Sequence, residues 1–114
     1  VTVYVDDMYL RPLGRFARMK MSHMIADTDD ELHAMAAAIG VARKWHQGPP
    51  THDSHYDIAL SKRSLAVAAG AVEITLRQCA CMSTWRRGHG GALLPPAEAE
   101  KRFTEKALSK AAGE

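Results

Sequence analysis

The chain has 114 residues, of which 46% are hydrophobic and 25% charged, and a formal net charge of +2. That length suits one domain with a modest core and leaves no room for two, while so small a net charge does not by itself imply nucleic acid. No run approaches the roughly 20 apolar residues of a membrane span and no basic-then-apolar leader opens the chain, so the expectation is a cytoplasmic protein with no membrane partner.

Charge is segregated along the chain. Arg11, Arg15, Arg18 and Lys20 follow one another with no acid between them, and Asp27, Asp29, Asp30 and Glu31 answer in a block. The only cysteines, Cys79 and Cys81, are too close in sequence to staple a fold, which also suits a reducing compartment.

In chain order, Val1, Val3 and Val5 alternate with Thr2 and Tyr4, a β-branched and aromatic run expected to form a strand covered on both faces and ended by Asp6 and Asp7. Tyr9 to Met21 contains Pro12 and Gly14 without a clear period and reads as a long basic loop. Met21 to Ala26 is a short extended piece that puts His23, Ile25 and Asp27 on one side by the period of two. Thr28 and Glu31 have the spacing of a capping box, Asp29 and Asp30 suit the positive end of a helix dipole, and Leu32, Met35, Ala36 and Ile39 form one buried stripe. Gly40 supplies the left-handed residue that closes such a helix, which is expected over Asp29 to Ile39.

Val41 to Gln47 reads as a second principal strand, stopped by Gly48, Pro49 and Pro50. A polar loop then leads to Ser54, His55, Tyr56 and Asp57. A second helix is expected to begin between Asp57 and Lys62 and end at Gly70, with Leu65, Ala68 and Ala69 as its clearest buried positions. Ala71 to Leu76 reads as a third strand, Val72, Ile74 and Leu76 alternating with Ala71, Glu73 and Thr75.

This order implies a small α/β fold: a three- to four-stranded, at least partly parallel sheet with two right-handed crossover helices. The α/β domain is expected over residues 1–84. Residues 85–114 read as a basic linker, Trp85 to Gly91, and a C-terminal helix or flexible tail. Pro95 and Pro96 would open that helix, about Ala97 to Ala112, and its sparse apolar content, Phe103, Ala107 and Leu108, implies peripheral docking.

Ligands of open α/β sheets bind outside the carboxyl ends of strands, where Asp6 or Asp7, Asp27 and Asp57 fall, together with His23 and His55. His55 and Asp57 are two apart, on one side of an extended segment and within about 7 Å by the strand rise. Carboxylates with imidazoles are ligands for a divalent metal such as Mn, Mg or Zn, which activates water and neutralises phosphoryl oxygens. The expected assignment is His55 and Asp57 as catalytic groups, Asp6, His23 and Asp27 as metal ligands, and Arg15 on phosphate. Histidine is the side-chain type suited to proton transfer near neutral pH, which makes His55 the natural general acid or base.

Each residue also has an ordinary role. Asp27 can assist the helix cap, and Asp6 and Asp7 can terminate a strand. His33, four after Asp29, fits a surface ion pair, while His46 and His52 read as solvated. Cys79-x-Cys81 with His89 lacks the second ligand pair of a zinc site, and no Gly-rich phosphate loop, nucleophile elbow or zincin pattern is present.

VYVDD at Val3 to Asp7, Gly14-Arg15, SHMIAD at Ser22 to Asp27, ELHAMA at Glu31 to Ala36, HYD at His55 to Asp57, and Gly70-Ala71 followed by Arg77 together resemble a family of short, uncharacterised bacterial and phage proteins, a domain of unknown function. The resemblance covers about residues 2–78. Members more often carry a single Asp after the first strand, which favours Asp6 over Asp7, and a large aromatic where this chain has Met35. The family brings no assigned activity, but its phage members imply a host-directed or defence-related role.

Two functions remain open at this point. One is a metal-assisted phosphoesterase acting on a nucleotide or nucleic acid; the other is a non-catalytic phage-type module that binds a nucleotide or a host protein. The Trp85 and Arg86 segment offers a further nucleic-acid surface by phosphate contacts and stacking. Oligomeric state is not legible.

Overall fold

The computed structural model describes residues 2–48, 53–90 and 92–113; expectations that fall on Val1, Pro49, Pro50, His52 and Gly91 lie outside the described residues. The longest strand, β3 (Met19–Ala26), organises a mixed five-stranded sheet. It pairs antiparallel with β1 (Val3–Val5) through Met24 to Ala26, with β4 (Tyr56–Ala59) through Met21 to Met24, and with β2 (Arg15–Phe16) at Met19 and Lys20. The parallel part of the sheet is β1 with β5 (Val72–Glu73).

Strand alternation covers the sheet on both faces. Val3, Val5, Met24, Ala26, Tyr56 and Ile58 meet Leu32, Ala36, Ile39 and Ala66 of α1 (Asp29–Ala38) with its cap and α2 (Leu60–Ala68). Tyr4 and Ile25 point the other way, to Ile74 and to Cys79, Cys81 and Met82 of α3 (Leu76–Gly88), with Ala99 of α4 (Pro96–Ala111) completing that second core. The architecture is therefore α/β with a partly parallel sheet and a C-terminal helix.

Helix α1 begins as its sequence requires. Thr28 Oγ1 accepts from the Glu31 N–H at 3.2 Å, and the Glu31 carboxylate accepts from the Thr28 hydroxyl at 2.8 Å instead of reaching back to the backbone. At its other end Gly40 stands at φ +80°, with its N–H on the Ala37 carbonyl and the Val41 N–H on that of Ala36, the paired bonds of a Schellman cap.

That cap explains a correction. Val41 to Gln47 is not a strand, because the Val41 N–H is already committed to α1. The segment contains a 3-10 turn at Arg43–Trp45, and Gln47 alone bridges to His55. The strand lies further on instead, as β4. The supposed basic loop likewise folds into two 3-10 turns, Met8–Leu10 and Pro12–Gly14, and a hairpin of β2 with β3 around Ala17 and Arg18. Gly14 is required there, since a Cβ would stand 2.2 Å from the Met8 carbonyl oxygen.

On α2 the buried positions are Ala66 and Arg63, while Leu65 is 50% exposed and Ala68 and Ala69 are exposed. Arg63 decides the face: its Nε donates to the Asp6 carbonyl at 2.8 Å and its Nη1 to Glu73 at 2.9 Å. The third strand stops at Glu73, and Leu76 opens α3 through a full capping box between Thr75 and Gln78. Trp85 to Gly88, expected as linker, is the last turn of this helix, so position 84 falls inside it. Buried Arg86 donates from Nη2 to the Ser54 carbonyl at 3.1 Å. Helix α4 packs on α3, with Phe103 and Leu108 exposed. Among the described residues no helix is long and apolar enough to cross a membrane.

Candidate metal centre

Three backbone facts assemble the site. Asp6 directly follows β1, His23 lies in β3 beside it, and the register of β3 with β4 sets His23 opposite Asp57. Because Tyr56 and Ile58 face α1 and α2, alternation sends His55 and Asp57 to the opposite face, toward α3.

Asp6 is fully buried and spends its carboxylate locally. Its Oδ1 accepts from the His23 N–H at 2.9 Å and the Met8 N–H at 3.1 Å, and its Oδ2 lies 2.7 Å from His23 Nδ1. The hydrogen bond to Asp6 raises the His23 pKa against the opposing effect of burial, with the charges of Asp6 and Asp57 adding to it. His55 is oriented in the same way by a different acceptor, its Nδ1 meeting the Asp53 carbonyl.

Both rings therefore hold their Nδ1 proton on an oxygen, and each neutral ring presents the lone pair of Nε2. Those atoms face the same target: His23 Nε2 is 3.7 Å and His55 Nε2 3.5 Å from Asp57 Oδ1, with the rings edge to face at 5.4 Å. The Asp57 side chain is 35% exposed, yet Oδ1 itself is sealed from solvent and has no hydrogen-bond partner. Oδ2 is held by Gln47 Nε2 at 3.0 Å. His23, His55 and Asp57 each bring a donor atom within 4.8 Å of the others, a spacing that a cation with ligands at about 2.0 to 2.2 Å can close.

A carboxylate oxygen without a hydrogen bond that faces two imidazole lone pairs is costly, and a divalent cation or a proton on one of the rings relieves it. Histidines whose second nitrogen is fixed by a carboxylate or carbonyl are the usual form of such ligands. A cation held by these three protein donors would keep further coordination positions open.

Other expected site residues are placed elsewhere. Asp27 Oδ2 accepts from the Thr2 N–H at 2.8 Å and its Oδ1 from the Tyr4 hydroxyl at 3.3 Å, so it ties β1 to the end of β3 and stays apart from the cluster. Asp7 caps α3, accepting from the Leu76 N–H at 2.6 Å. Arg15, on exposed β2, lines a groove of about 770 Å³ that is also lined by His23 and Asp57. On the α3 side His23 and His55 also line a cavity of about 230 Å³.

Cys79 groups with Asp6 and His23, a neighbour that the sequence pattern did not reveal. Burial and then the Asp6 charge push its thiol far above the ordinary range, so it stays protonated under the site. His89 stacks on Trp85 at 3.5 Å. Gln47 and Arg63 also act here, the one orienting Asp57 and the other holding the Asp6 carbonyl. Neither had a local sequence signal, since both contacts are made across elements.

Fold and cluster together define a small α/β protein with a His-His-Asp donor set on its central strand pair. The chain belongs to the family described as Protein of unknown function (DUF4031), whose profile matches residues 3–86. That span contains the whole cluster and nearly all of α3. No curated protein and no solved structure matches the chain.

Proposed function

We propose that this protein is a metal-assisted phosphoesterase whose divalent cation is held by His23 Nε2, His55 Nε2 and Asp57 Oδ1. The observation that carries the reading is the Asp57 oxygen, sealed from solvent and without a hydrogen bond, facing both Nε2 atoms. Imidazole and carboxylate donors suit Zn or Mn, and such a cation lowers the pKa of water and neutralises phosphoryl charge.

The chain's own residues do the remaining work. Asp6 fixes the His23 ring, the Asp53 carbonyl fixes that of His55, and Gln47 holds Asp57. His55 is thus better placed as a ligand than as the general acid or base. Arg15 and Lys62 line the adjoining groove and supply positive charge for the phosphoester of a nucleotide or nucleic acid.

Titration calorimetry with Mn²⁺ and Zn²⁺ should give one site per chain that is lost in His23→Ala, His55→Ala and Asp57→Ala. The loaded protein should then hydrolyse bis(4-nitrophenyl) phosphate, with turnover lost in the same variants. Binding that survives all three substitutions would overturn the site, and metal binding without turnover on any phosphoester would reduce the protein to a binding module.

A further inference from the structure

The groove bordered by His23 and Asp57 has walls of two kinds. Phe16 and Met19 of the β2–β3 hairpin and Trp45 of the 3-10 turn after α1 present apolar surface to it, although Phe16 is 68% and Trp45 59% exposed. Arg15 and Lys62 line it as well, and among the described residues its one carboxylate is Asp57 of the proposed metal centre. Monomeric proteins seldom leave aromatic side chains gathered on one concave surface without use. A volume of about 770 Å³ falls among those of small-molecule sites.

The charges select the occupant. An apolar ligand alone would gain nothing from two cations, and an inorganic anion would gain nothing from Phe16 and Trp45. A ligand with a flat apolar part and a phosphate uses both, because bases stack on aromatic side chains and phosphates pair with Arg and Lys. His23 and Asp57 border the groove and also belong to the donor set, so a phosphate at that end lies beside the cation.

We infer that the groove between the β2–β3 hairpin and Trp45 binds a nucleoside phosphate, with the base against Phe16 and Trp45 and the phosphate toward Arg15, Lys62 and the His-His-Asp cluster. This deepens the phosphoesterase reading by naming its substrate class. The same chemistry is offered by a free nucleotide and by the phosphorylated end of a single strand.

The chain has two tryptophans, so in a Trp85→Phe background fluorescence reports Trp45 alone. Adenosine 5′-monophosphate in metal-free buffer should quench it saturably, while adenosine and ribose 5-phosphate should each bind about tenfold or more weakly. Phe16→Ala should weaken nucleotide binding about tenfold, the scale of one stacked base, and Arg15→Ala about as much through the lost charge-assisted contact to phosphate. Both side chains are exposed, and circular dichroism would verify the fold.

Equal affinity for the mononucleotide and a 5′-phosphorylated tetranucleotide assigns the site to free nucleotides; tighter binding of the tetranucleotide assigns it to strand ends. Ribose 5-phosphate binding as tightly as the nucleotide, or affinity unchanged by Phe16→Ala and Arg15→Ala, overturns the inference. Mn²⁺ titration of the same variants separates the two readings. Metal bound without nucleotide sinks the groove alone, whereas nucleotide bound without metal sinks the metal centre alone.

Discussion

Two histidine clusters lie on opposite sides of β4, built from similar parts and solved differently. On the α1 side, His33 Nδ1 lies 2.7 Å from the Tyr56 hydroxyl, and His46 Nε2 lies 2.7 Å from Ser54 Oγ, which donates to Asp29 at 2.6 Å. The two rings meet edge to face at 4.5 Å. Because Ser54 gives its proton to Asp29, it accepts from His46 Nε2–H, and the chain of donors and acceptors closes. The expected surface ion pair of His33 with Asp29 is thus replaced, and His46 is engaged rather than merely solvated. On the α3 side, among the described residues, no hydroxyl bonds the side chains of His23, His55 or Asp57, and one carboxylate oxygen has no hydrogen bond. A hydroxyl both donates and accepts, so it can join an imidazole to a carboxylate; an ionised carboxylate facing two lone pairs needs a cation or an added proton. The first cluster satisfies itself through hydroxyls, and the second leaves a carboxylate oxygen without a hydrogen bond, which is what the proposed cation would supply.

The contrast breaks most visibly at Asp57. Asp57→Ala should weaken Mn²⁺ or Zn²⁺ binding at least about a hundredfold, or about 3 kcal/mol, by calorimetry. Metal-free thermal stability should shift by no more than about 1 kcal/mol, since the lost Gln47 hydrogen bond is offset by removal of a sealed oxygen that has none. A large loss of stability would instead make Asp57 structural.

Asp6→Asn should reduce metal affinity roughly 10- to 100-fold, the usual cost of removing the carboxylate that orients a histidine ligand. On the other face Tyr56→Phe should cost about 1 to 2 kcal/mol in stability by leaving His33 without its hydroxyl partner, with metal affinity unchanged. Tyr56→Phe affecting metal binding as strongly as Asp6→Asn would mean that the two clusters are one.

Acidity should affect the clusters with opposite signs. The raised His23 pKa gives a stabilisation that is full below about pH 6.5, the ordinary value, and lost as pH rises through the folded value. The His46 pKa is lowered, by burial first and then by His33, so its contribution is full above the ordinary value and lost as pH falls through the folded one. Metal-free melts over about pH 5 to 8 should therefore show the alkaline loss flattened by His23→Gln and the acid loss flattened by His46→Gln. The same slope in both variants would remove the distinction.

The smallest effect on the site is expected from removing residues 91–114. Helix α4 contributes Ala99 to the second core, and Glu100 accepts from Gln78 at 3.1 Å, so the melting temperature should fall. Metal affinity should stay within about twofold, since the donors and their partners precede residue 91. A cut at 84 is a harsher test because it divides α3 and removes Arg86 from the Ser54 carbonyl; a folded product there would make residues 85–114 a separable segment.

Local signals were legible where they faced no competitor. Thr28, the Leu32 to Ile39 stripe and Gly40 delimit α1 within a residue. At Ala71 to Leu76 two signals overlapped: alternation suggested strand, while Thr75 and Gln78 carried the capping box that starts α3. On α2 size misled, since Leu65 is the larger apolar residue and Ala66 the buried one. The small side chain lets the helix approach the sheet, and Arg63 fixes its rotation from across the fold.

The sequence by itself determined the helix start at Thr28, the position of Asp6 at the end of β1, and the common side of His55 and Asp57. Each depends on spacings of a few residues, which backbone geometry converts directly into place. Only the tertiary structure decided which acids meet which histidines. Asp27 and Asp57 looked equivalent in the chain, but Asp57 reaches His23 through the β3–β4 register and Asp27 turns to Thr2 and Tyr4. A register pairs residues 34 apart in number, as in His23 with Asp57, and is set by the fit of whole hydrophobic faces, so no short stretch of the chain encodes it.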